Sequence, residues 1–193
     1  MLTTPSTTLS ELLAAVVADP AKQSRFLNTL SLLERIGSRK ILLTQEDALQ
    51  HLAEETRHAH FFRRAAERVA GRALSYDEKD AAAPQSARMY FGRLDSGVAA
   101  ETGPGVLAYL YVTQTIELRA MKVYEAFEAE LRRAGHWLTL KSVLAEEKGH
   151  LDEMDQELRR LDPHYCERAA RFSSLEAALF GRWLEKTAAA LGL

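Results

Sequence analysis

The chain contains two related segments, Leu52-Ala53-Glu54-Glu55-Thr56-Arg57-His58 and Leu144-Ala145-Glu146-Glu147-Lys148-Gly149-His150, which agree at five of seven positions. Each contains Glu-x-x-His, which in an α-helix places a carboxylate and an imidazole one turn apart on the same face. Such a pair can bind one cation or flank two. With 6 His and 19 Glu among 193 residues, about 0.6 such matches are expected by chance. Two matches inside a shared motif are therefore a strong indication of a metal site.

Around both segments, apolar residues recur at three- and four-residue intervals, which is typical of amphipathic α-helices; no alternating strand pattern is present. The sequence predicts four long helices, over about residues 22–43, 44–69, 106–134 and 138–161, and places the motifs in the second and fourth. The second helix begins at a capping box, Thr44-Gln45-Glu46-Asp47, and ends at Gly71. Short connections predict that these helices form two antiparallel hairpins.

The remaining segments complete the predicted architecture. A short N-terminal helix runs from Ser10, as N-cap, to Ala18 and is ended by Asp19-Pro20. Two further helices, over 164–171 and 174–191, fill the C-terminal region 163–193. The connector 73–105 holds Gly, Pro, Asp and Ser clusters around one short amphipathic piece, 84–94, and is long enough to cross a whole bundle.

These elements predict one all-α domain over residues 1–193, with its bundle core at about 22–161. Two antiparallel hairpins joined by a long crossover are the arrangement of a ferritin-type four-helix bundle. Short N-terminal and C-terminal helices are additions to that core.

A di-metal site in such a bundle needs one carboxylate from each of the two helices that lack a motif. Glu34 is the only acidic residue between Asp19 and Glu46 in the first hairpin. Because a helix rises ~1.5 Å per residue, Glu34 and Glu55 come to similar heights on either side of the turn. Glu34 is therefore a predicted ligand.

Three glutamates compete for the same position in the third long helix. Glu125 precedes Glu147 by 22 residues (147 − 125), close to the 21 between Glu34 and Glu55 (55 − 34), and the midpoint is at His136 in the turn. Glu128 would lie about 4–5 Å lower and Glu117 about 12 Å higher. The predicted ligands are Glu34, Glu55, His58, Glu125, Glu147 and His150, with Glu128 and then Glu117 as alternatives to Glu125.

This set of residues, with the long crossover, resembles the ferritin-like di-iron carboxylate superfamily. That superfamily includes ferritins, rubrerythrins, ribonucleotide reductase small subunits, acyl-carrier-protein desaturases and aldehyde-deformylating or arylamine oxygenases. The segment Glu54 to His58 is similar to the Glu-Glu-x-Arg-His segments of the desaturase and oxygenase branches. The spacings from Glu to Glu-x-x-His are shorter than those of typical ferritins and rubrerythrins. The resemblance covers about residues 22–161.

The resemblance implies two iron ions, or manganese and iron, in a centre that activates O₂. It implies an oxidoreductase or oxygenase acting on a small or apolar organic substrate. Glu55 and Glu147 would bridge the ions or nearly so, His58 and His150 would each bind one ion, and Glu34 and Glu125 would be terminal ligands. The donor set agrees physically, because buried carboxylates are costly unless paired, and mixed oxygen and imidazole donors suit iron or manganese.

Four further side chains fall close to the predicted site. His51 lies one turn before Glu55, as an extra ligand or as the partner of one. Tyr124 is a candidate for an electron relay, although tyrosines at helical spacing more often pack in the core. Phe62 and Met121 would pack around the site, as plain core or as the lining of a substrate pocket.

Composition excludes several other classes. With 25 Lys plus Arg against 27 Asp plus Glu, the net charge of −2 offers no basic surface for nucleic acid or an anionic membrane. A single cysteine excludes an internal disulfide and a cysteine-based metal site. The longest apolar stretch, 12–18, is too short to span a bilayer, and the start lacks a signal-peptide pattern. We expect a cytoplasmic protein.

Two other functions remain open from the sequence. One is iron handling, as a ferroxidase or peroxide scavenger without an organic substrate. The other is a metal-free helical interaction module, which requires Glu34, Glu55, Glu125 and Glu147 to be paired or exposed. The sequence identifies neither the electron donor nor the oligomeric state, for which a homodimer is one option.

Overall fold

The computed structural model describes residues 7–44 and 48–193, and every regular element in these two ranges is an α-helix. The predicted all-α class is therefore confirmed. Most of the predicted capping box, residues 45–47, lies outside the described residues. The seven helices are α1 (Leu9–Ala18), α2 (Pro20–Thr44), α3 (Leu49–Ala70), α4 (Pro84–Thr102), α5 (Val106–Arg133), α6 (Lys141–Leu161) and α7 (Tyr165–Ala190).

The first helix begins earlier than the sequence predicted. Thr8 is its N-cap, because the Glu11 N–H donates to Thr8 Oγ1 at 3.3 Å and the Thr8 N–H donates to Glu11 Oε2 at 2.8 Å. This reciprocal pair satisfies two helix-terminal N–H groups, so the prediction of Ser10 as N-cap was wrong. Asp19 ends α1 in an extended conformation, and its carboxylate accepts from the Ala21 N–H at 2.8 Å. Pro20 thus starts α2 directly.

Helices α2 and α3 form an antiparallel hairpin. Ser31 Oγ donates to the Ala59 carbonyl at 2.7 Å, and Arg63 Nη1 donates to Asn28 Oδ1 at 3.0 Å. The earlier residue in α2, Asn28, pairs with the later residue in α3, Arg63. The two helices therefore run in opposite directions. Gly71 ends α3 with φ 68°, a conformation that glycine adopts without a Cβ clash; the predicted stop is confirmed.

Helices α5 and α6 form a second antiparallel hairpin with a longer connection. Tyr111 OH donates to Asp162 Oδ2 at 2.6 Å at one end of the pair. At the other end, the Leu140 N–H donates to Glu128 Oε2 at 2.7 Å. The start of α6 is therefore level with Glu128, more than one helical turn before α5 ends, because residues 134–140 run back along α5.

The crossover contains a longer helix than the short piece predicted over 84–94. Helix α4 continues to Thr102 and stops at Gly103, whose φ is 75°. A Cβ on Gly97 would lie 2.6 Å from Leu175 Cδ2. The missing side chain thus lets α7 approach α4 closely, and this packing extends α4 past its predicted end.

The two predicted C-terminal helices are one continuous helix, α7. The prediction placed one helix over 164–171 and a second over 174–191, with a break between them. Instead, Ser174 Oγ donates to the Ala170 carbonyl at 2.9 Å within the helix. Helix α7 lies against α4 and α5, where Tyr90 OH donates to Glu176 Oε1 at 2.7 Å.

The interior is apolar over most of its length and changes character at one level. Phe26, Phe62, Tyr111 and Phe127 are among its fully buried large side chains. Between them lies a layer of buried glutamate and histidine side chains from four helices. None of the helices described combines the length and apolar composition needed to cross a lipid bilayer.

Asn28 holds the start of the crossover against α2, and its loss should destabilise the protein. It is fully buried and donates to the carbonyls of Ser75 and Asp80, at 2.6 and 2.9 Å, besides accepting from Arg63. Since a lost buried hydrogen bond costs about 1 kcal/mol or more, we expect Asn28→Ala to lower the free energy of unfolding by about 3 kcal/mol. Urea unfolding measures this. The exposed Gln85→Ala should change it by less than about 0.5 kcal/mol, and an equal effect of both would contradict the assignment.

Candidate metal centre

Four buried carboxylates meet at the polar layer, one from each helix of the two hairpins. They are only 1% to 7% exposed and come from Glu34 on α2, Glu55 on α3, Glu117 on α5 and Glu147 on α6. His58 and His150 are buried beside them. Four carboxylates at one level of an apolar core are unfavourable unless protons or cations neutralise them.

The donor atoms form two adjacent groups that could each hold a metal ion. In the first group, one atom each from Glu34, Glu55, His58 and Glu147 lie within 4.8 Å of one another. In the second, the same holds for His51, Glu55, Glu117 and His150. Glu55 belongs to both groups. This is the geometry of two neighbouring cation positions with one shared carboxylate.

Both motif histidines direct Nδ1 into the cluster. His58 Nδ1 lies 3.0 Å from Glu147 Oε1, and His150 Nδ1 lies 3.5 Å from Glu147 Oε2. The carboxylate of Glu147 therefore faces an imidazole nitrogen from each hairpin. Glu147 thus lies close to both motif histidines, although only Glu55 belongs to both donor groups.

The outer nitrogens of these histidines are held by the first glutamate of the opposite motif. His58 Nε2 lies 2.7 Å from Glu146 Oε2, and His150 Nε2 lies 2.6 Å from Glu54 Oε2. A carboxylate at Nε2 accepts a hydrogen bond from it, which leaves the Nδ1 lone pair for a cation when the ring is neutral. Arg57 Nη2 also donates to Glu146 at 2.6 Å. Sequence reasoning missed this reciprocal arrangement, although the shared Glu-Glu in both motifs was its signal.

Several buried polar atoms in the cluster have no hydrogen-bond partner among the described residues. An unsatisfied buried polar atom costs roughly 1–3 kcal/mol, and such atoms are rare singly. Here five surround one small space, which a bound cation would explain. They are Glu55 Oε1, Glu117 Oε2, Glu147 Oε2, His58 Nδ1 and His150 Nδ1.

Burial and mutual repulsion control the protonation of the cluster. Burial raises the pKa of Glu34 and of Glu55 well above the ordinary value, and the neighbouring carboxylates raise both further. Burial also raises the pKa of Glu117. Burial lowers the pKa of His150, but the neighbouring carboxylates of Glu117, Glu147 and Glu54 favour the charged imidazolium and outweigh it, so that the net shift is upward. Without a cation, the raised pKa values of Glu34, Glu55 and Glu117 therefore favour their protonated forms.

The structure does not bring Glu125 to the cluster. Glu125 is exposed on α5, because it follows the inward-facing Tyr124 by one residue, or about 100° around the helix. The early start of α6, level with Glu128, moves Glu147 along α5 toward Glu117. The preference for Glu125 is therefore corrected to Glu117.

Glu128, the other alternative, also lies outside the cluster. Its carboxylate accepts from the Leu140 N–H at 2.7 Å and from Thr139 Oγ1 at 3.1 Å. Glu128 thus caps the start of α6, where its negative charge also favours the helix dipole.

The other predicted neighbours of the site have distinct positions. His51 Nε2 lies 3.1 Å from Glu117 Oε1, and its Nδ1 lies 3.0 Å from Tyr109 OH. Tyr124 OH donates to Glu34 Oε1, and the Phe62 ring packs against the Tyr124 ring at a centroid distance of 5.2 Å. Met121 is half-buried and is not part of the described lining of the cavity beside the cluster.

No protein-family model, curated protein or solved structure compared with this chain gives a significant match. The residues and their geometry are therefore the evidence for a metal centre. On those grounds, the buried His and Glu groups could hold a metal ion. The preference for a particular metal depends on the carboxylate and imidazole atoms that would bind it.

Metal binding should release protons and strengthen as the pH rises. A cation needs Glu34 and Glu55 ionised and His150 neutral, whereas the raised pKa values favour the protonated forms. We expect more than one proton released per chain at pH 7. Calorimetric titration with Fe(II) or Mn(II) in buffers of different ionisation enthalpy measures this number. An affinity that stays constant between pH 6 and pH 8 would contradict the protonation pattern.

The reciprocal glutamates should matter for metal affinity although they do not reach the metal positions. Glu54→Gln and Glu146→Gln each replace the acceptor at a histidine Nε2, and losses of such supporting groups typically weaken metal binding ~10–100-fold. We expect losses of that order for Mn(II), measured by competition with a chelator. Glu125→Gln is the matched control because Glu125 is exposed on α5. A loss in the control as large as in the two variants would refute the assignment.

Proposed function

We propose that this chain is a ferritin-like di-metal carboxylate protein that binds two iron ions, or manganese and iron, and activates O₂ as an oxidoreductase. The observation that supports it most is the pair of four-donor groups that share Glu55. The two antiparallel hairpins, α2–α3 and α5–α6, and the crossover that contains α4 support the bundle assignment. Helices α1 and α7 are then additions to the four-helix core.

The donor chemistry fits two divalent ions of iron or manganese. Four carboxylates supply four negative charges, which balance two divalent cations. Oxygen and imidazole donors favour these metals over the sulfur-rich sites of zinc or copper(I), and the only cysteine, Cys166, is exposed. One ion would be held by Glu34, Glu55, His58 and Glu147, and the other by Glu55, Glu117 and His150 with His51 beside them.

When bound, a pair of ferrous ions supplies two of the four electrons that reduce O₂ to water, and an organic substrate supplies the other two. The chain's own residues prepare the site for this chemistry. Glu54 and Glu146 fix the orientation of the two imidazoles. Tyr124 stays protonated, because burial raises the pKa of its hydroxyl well above the ordinary value, and this hydroxyl donates a hydrogen bond to Glu34.

The surroundings favour oxidation of an organic molecule over the two alternatives. The cavity beside the cluster is lined mainly by aliphatic and aromatic side chains, whereas a path for iron would need polar ones. A metal-free interaction module would need its glutamates paired or exposed. Instead Glu55, Glu117 and Glu147 are buried, each with one oxygen that has no hydrogen-bond partner in the described part of the chain.

Metal analysis of protein expressed with iron and manganese tests the proposal. We expect about two metal ions per chain in the natural protein. The isosteric double variant Glu55→Gln, Glu147→Gln should lose most of both, while Glu125→Gln retains them. Addition of O₂ to the anaerobic ferrous protein should oxidise the iron, measured by absorbance.

Failure to bind stoichiometric metal in the natural protein would overturn the proposal. Thermal unfolding of each variant separates lost ligands from a lost fold. Size-exclusion chromatography decides between a small assembly and an iron-storage cage, which would elute as a very large particle.

A further inference from the structure

A cavity lies between the carboxylate cluster and helices α4 and α7. One side is formed by the carboxylates of Glu34, Glu55, Glu117 and Glu147. The opposite side is aromatic, with Tyr90 and Phe91 from α4 and Phe180 and Trp183 from α7. A molecule in this cavity would contact the candidate metal positions at one end and the aromatic side chains at the other.

The wall between these two ends is apolar. Leu30 and Ile41 on α2 and Val112, Ile116 and Val123 on α5 line it. Gly37 also borders the cavity, and a Cβ there would lie 3.2 Å from Glu55 Oε2. The absence of a side chain at Gly37 thus leaves space next to the shared carboxylate. Apolar walls bind an organic molecule by removing its surface from water.

The positive charges at the cavity are already neutralised by carboxylates. Arg119 donates to Glu176 through two hydrogen bonds, of 2.9 and 2.7 Å. Lys40 pairs with Asp95. In the metal-free protein, a carboxylate or phosphate on a ligand would therefore find no unpaired lysine or arginine among the described residues that line the cavity, and it would enter a space that already faces four glutamates. An uncharged ligand avoids both penalties.

One polar group at the aromatic end has no partner. Trp183 is 2% exposed, and its indole Nε1 has no hydrogen-bond partner among the described residues. Indole N–H groups usually bind an acceptor when buried. A ligand with a carbonyl or hydroxyl oxygen at this end would supply one.

The size of the cavity limits the ligand further. Its volume is about 70 Å³, which is room for roughly five waters at about 10–15 Å³ each. That space suits a molecule of about one ring. Lys40 and Phe91 also line a depression on the protein surface.

We propose that this cavity binds an uncharged, mainly apolar molecule of about one ring with one hydrogen-bond acceptor, held at Trp183 with its other end toward the metal centre. The inference rests on the proposed function in one respect: it makes this molecule the organic substrate. Binding itself does not require the metal.

Three one-ring probes test the proposal on the metal-loaded and metal-free protein. Acetophenone is neutral with an acceptor, ethylbenzene is neutral without one, and phenylacetate is charged. We expect acetophenone to bind about fivefold more tightly than ethylbenzene, as one neutral hydrogen bond allows. In the metal-free protein, we expect phenylacetate to bind at least tenfold more weakly than either. Ligand-observed NMR titration measures all three.

Two kinds of variant locate the binding. Ala120→Phe and Val123→Phe place a ring into the cavity and should abolish binding of both neutral probes, since both residues line it. Ala129→Phe, on the exposed face of the same helix, is the matched control and should leave binding unchanged. Trp183→Phe should remove the advantage of acetophenone and keep ethylbenzene binding.

Several results would overturn the inference. These are no binding of either neutral probe, equal binding of phenylacetate to the metal-free protein, unchanged binding in both cavity-filling variants, or an acetophenone advantage that survives Trp183→Phe. Two metals per chain without probe binding would refute the inference alone. Probe binding at the predicted place in a protein that takes up no metal would refute the proposed function and leave the cavity assignment standing.

Discussion

Repulsion among four carboxylates buried at one level is the constraint on which the rest of this structure depends. Glu34, Glu55, Glu117 and Glu147 come from four different helices, so the repulsion acts between helices and would push the hairpins apart. Protons or cations must remove it, and the raised pKa values of Glu34 and Glu55 show the first of these remedies. The aromatic and aliphatic layers on either side hold the helices together against this repulsion.

The two candidate metal positions have different environments. The first includes Glu34, whose carboxylate accepts a hydrogen bond from Tyr124. The second lies beside His51, which is itself in contact with Tyr109. A hydrogen bond from the phenol makes a carboxylate a weaker electron donor to a metal ion. An additional imidazole instead adds an uncharged nitrogen ligand. The geometry therefore favours a more nitrogen-rich position on one side and a more oxygen-rich position on the other.

The sequence was sufficient for what depends on local periodicity. It predicted the all-α class, the approximate course of the long helices, and a cluster containing Glu34, Glu55, His58, Glu147 and His150. It could not predict what depends on connections and tertiary contacts. Glu125 was preferred because a tight turn was assumed, whereas residues 134–140 fold back and bring Glu117 into position. The roles of Glu54 and Glu146 could not be predicted, because the partner of each is a histidine on the other hairpin.

The crossed pairs, Glu54 with His150 and Glu146 with His58, divide the centre between the two halves of the chain. Each hairpin carries imidazoles that only the other can orient. A single hairpin therefore contains half of the candidate centre, and high metal affinity would require both halves to be docked. Separation of α3 from α6 would break both of these contacts at once. We therefore expect a bound ion to dissociate when these two helices separate briefly.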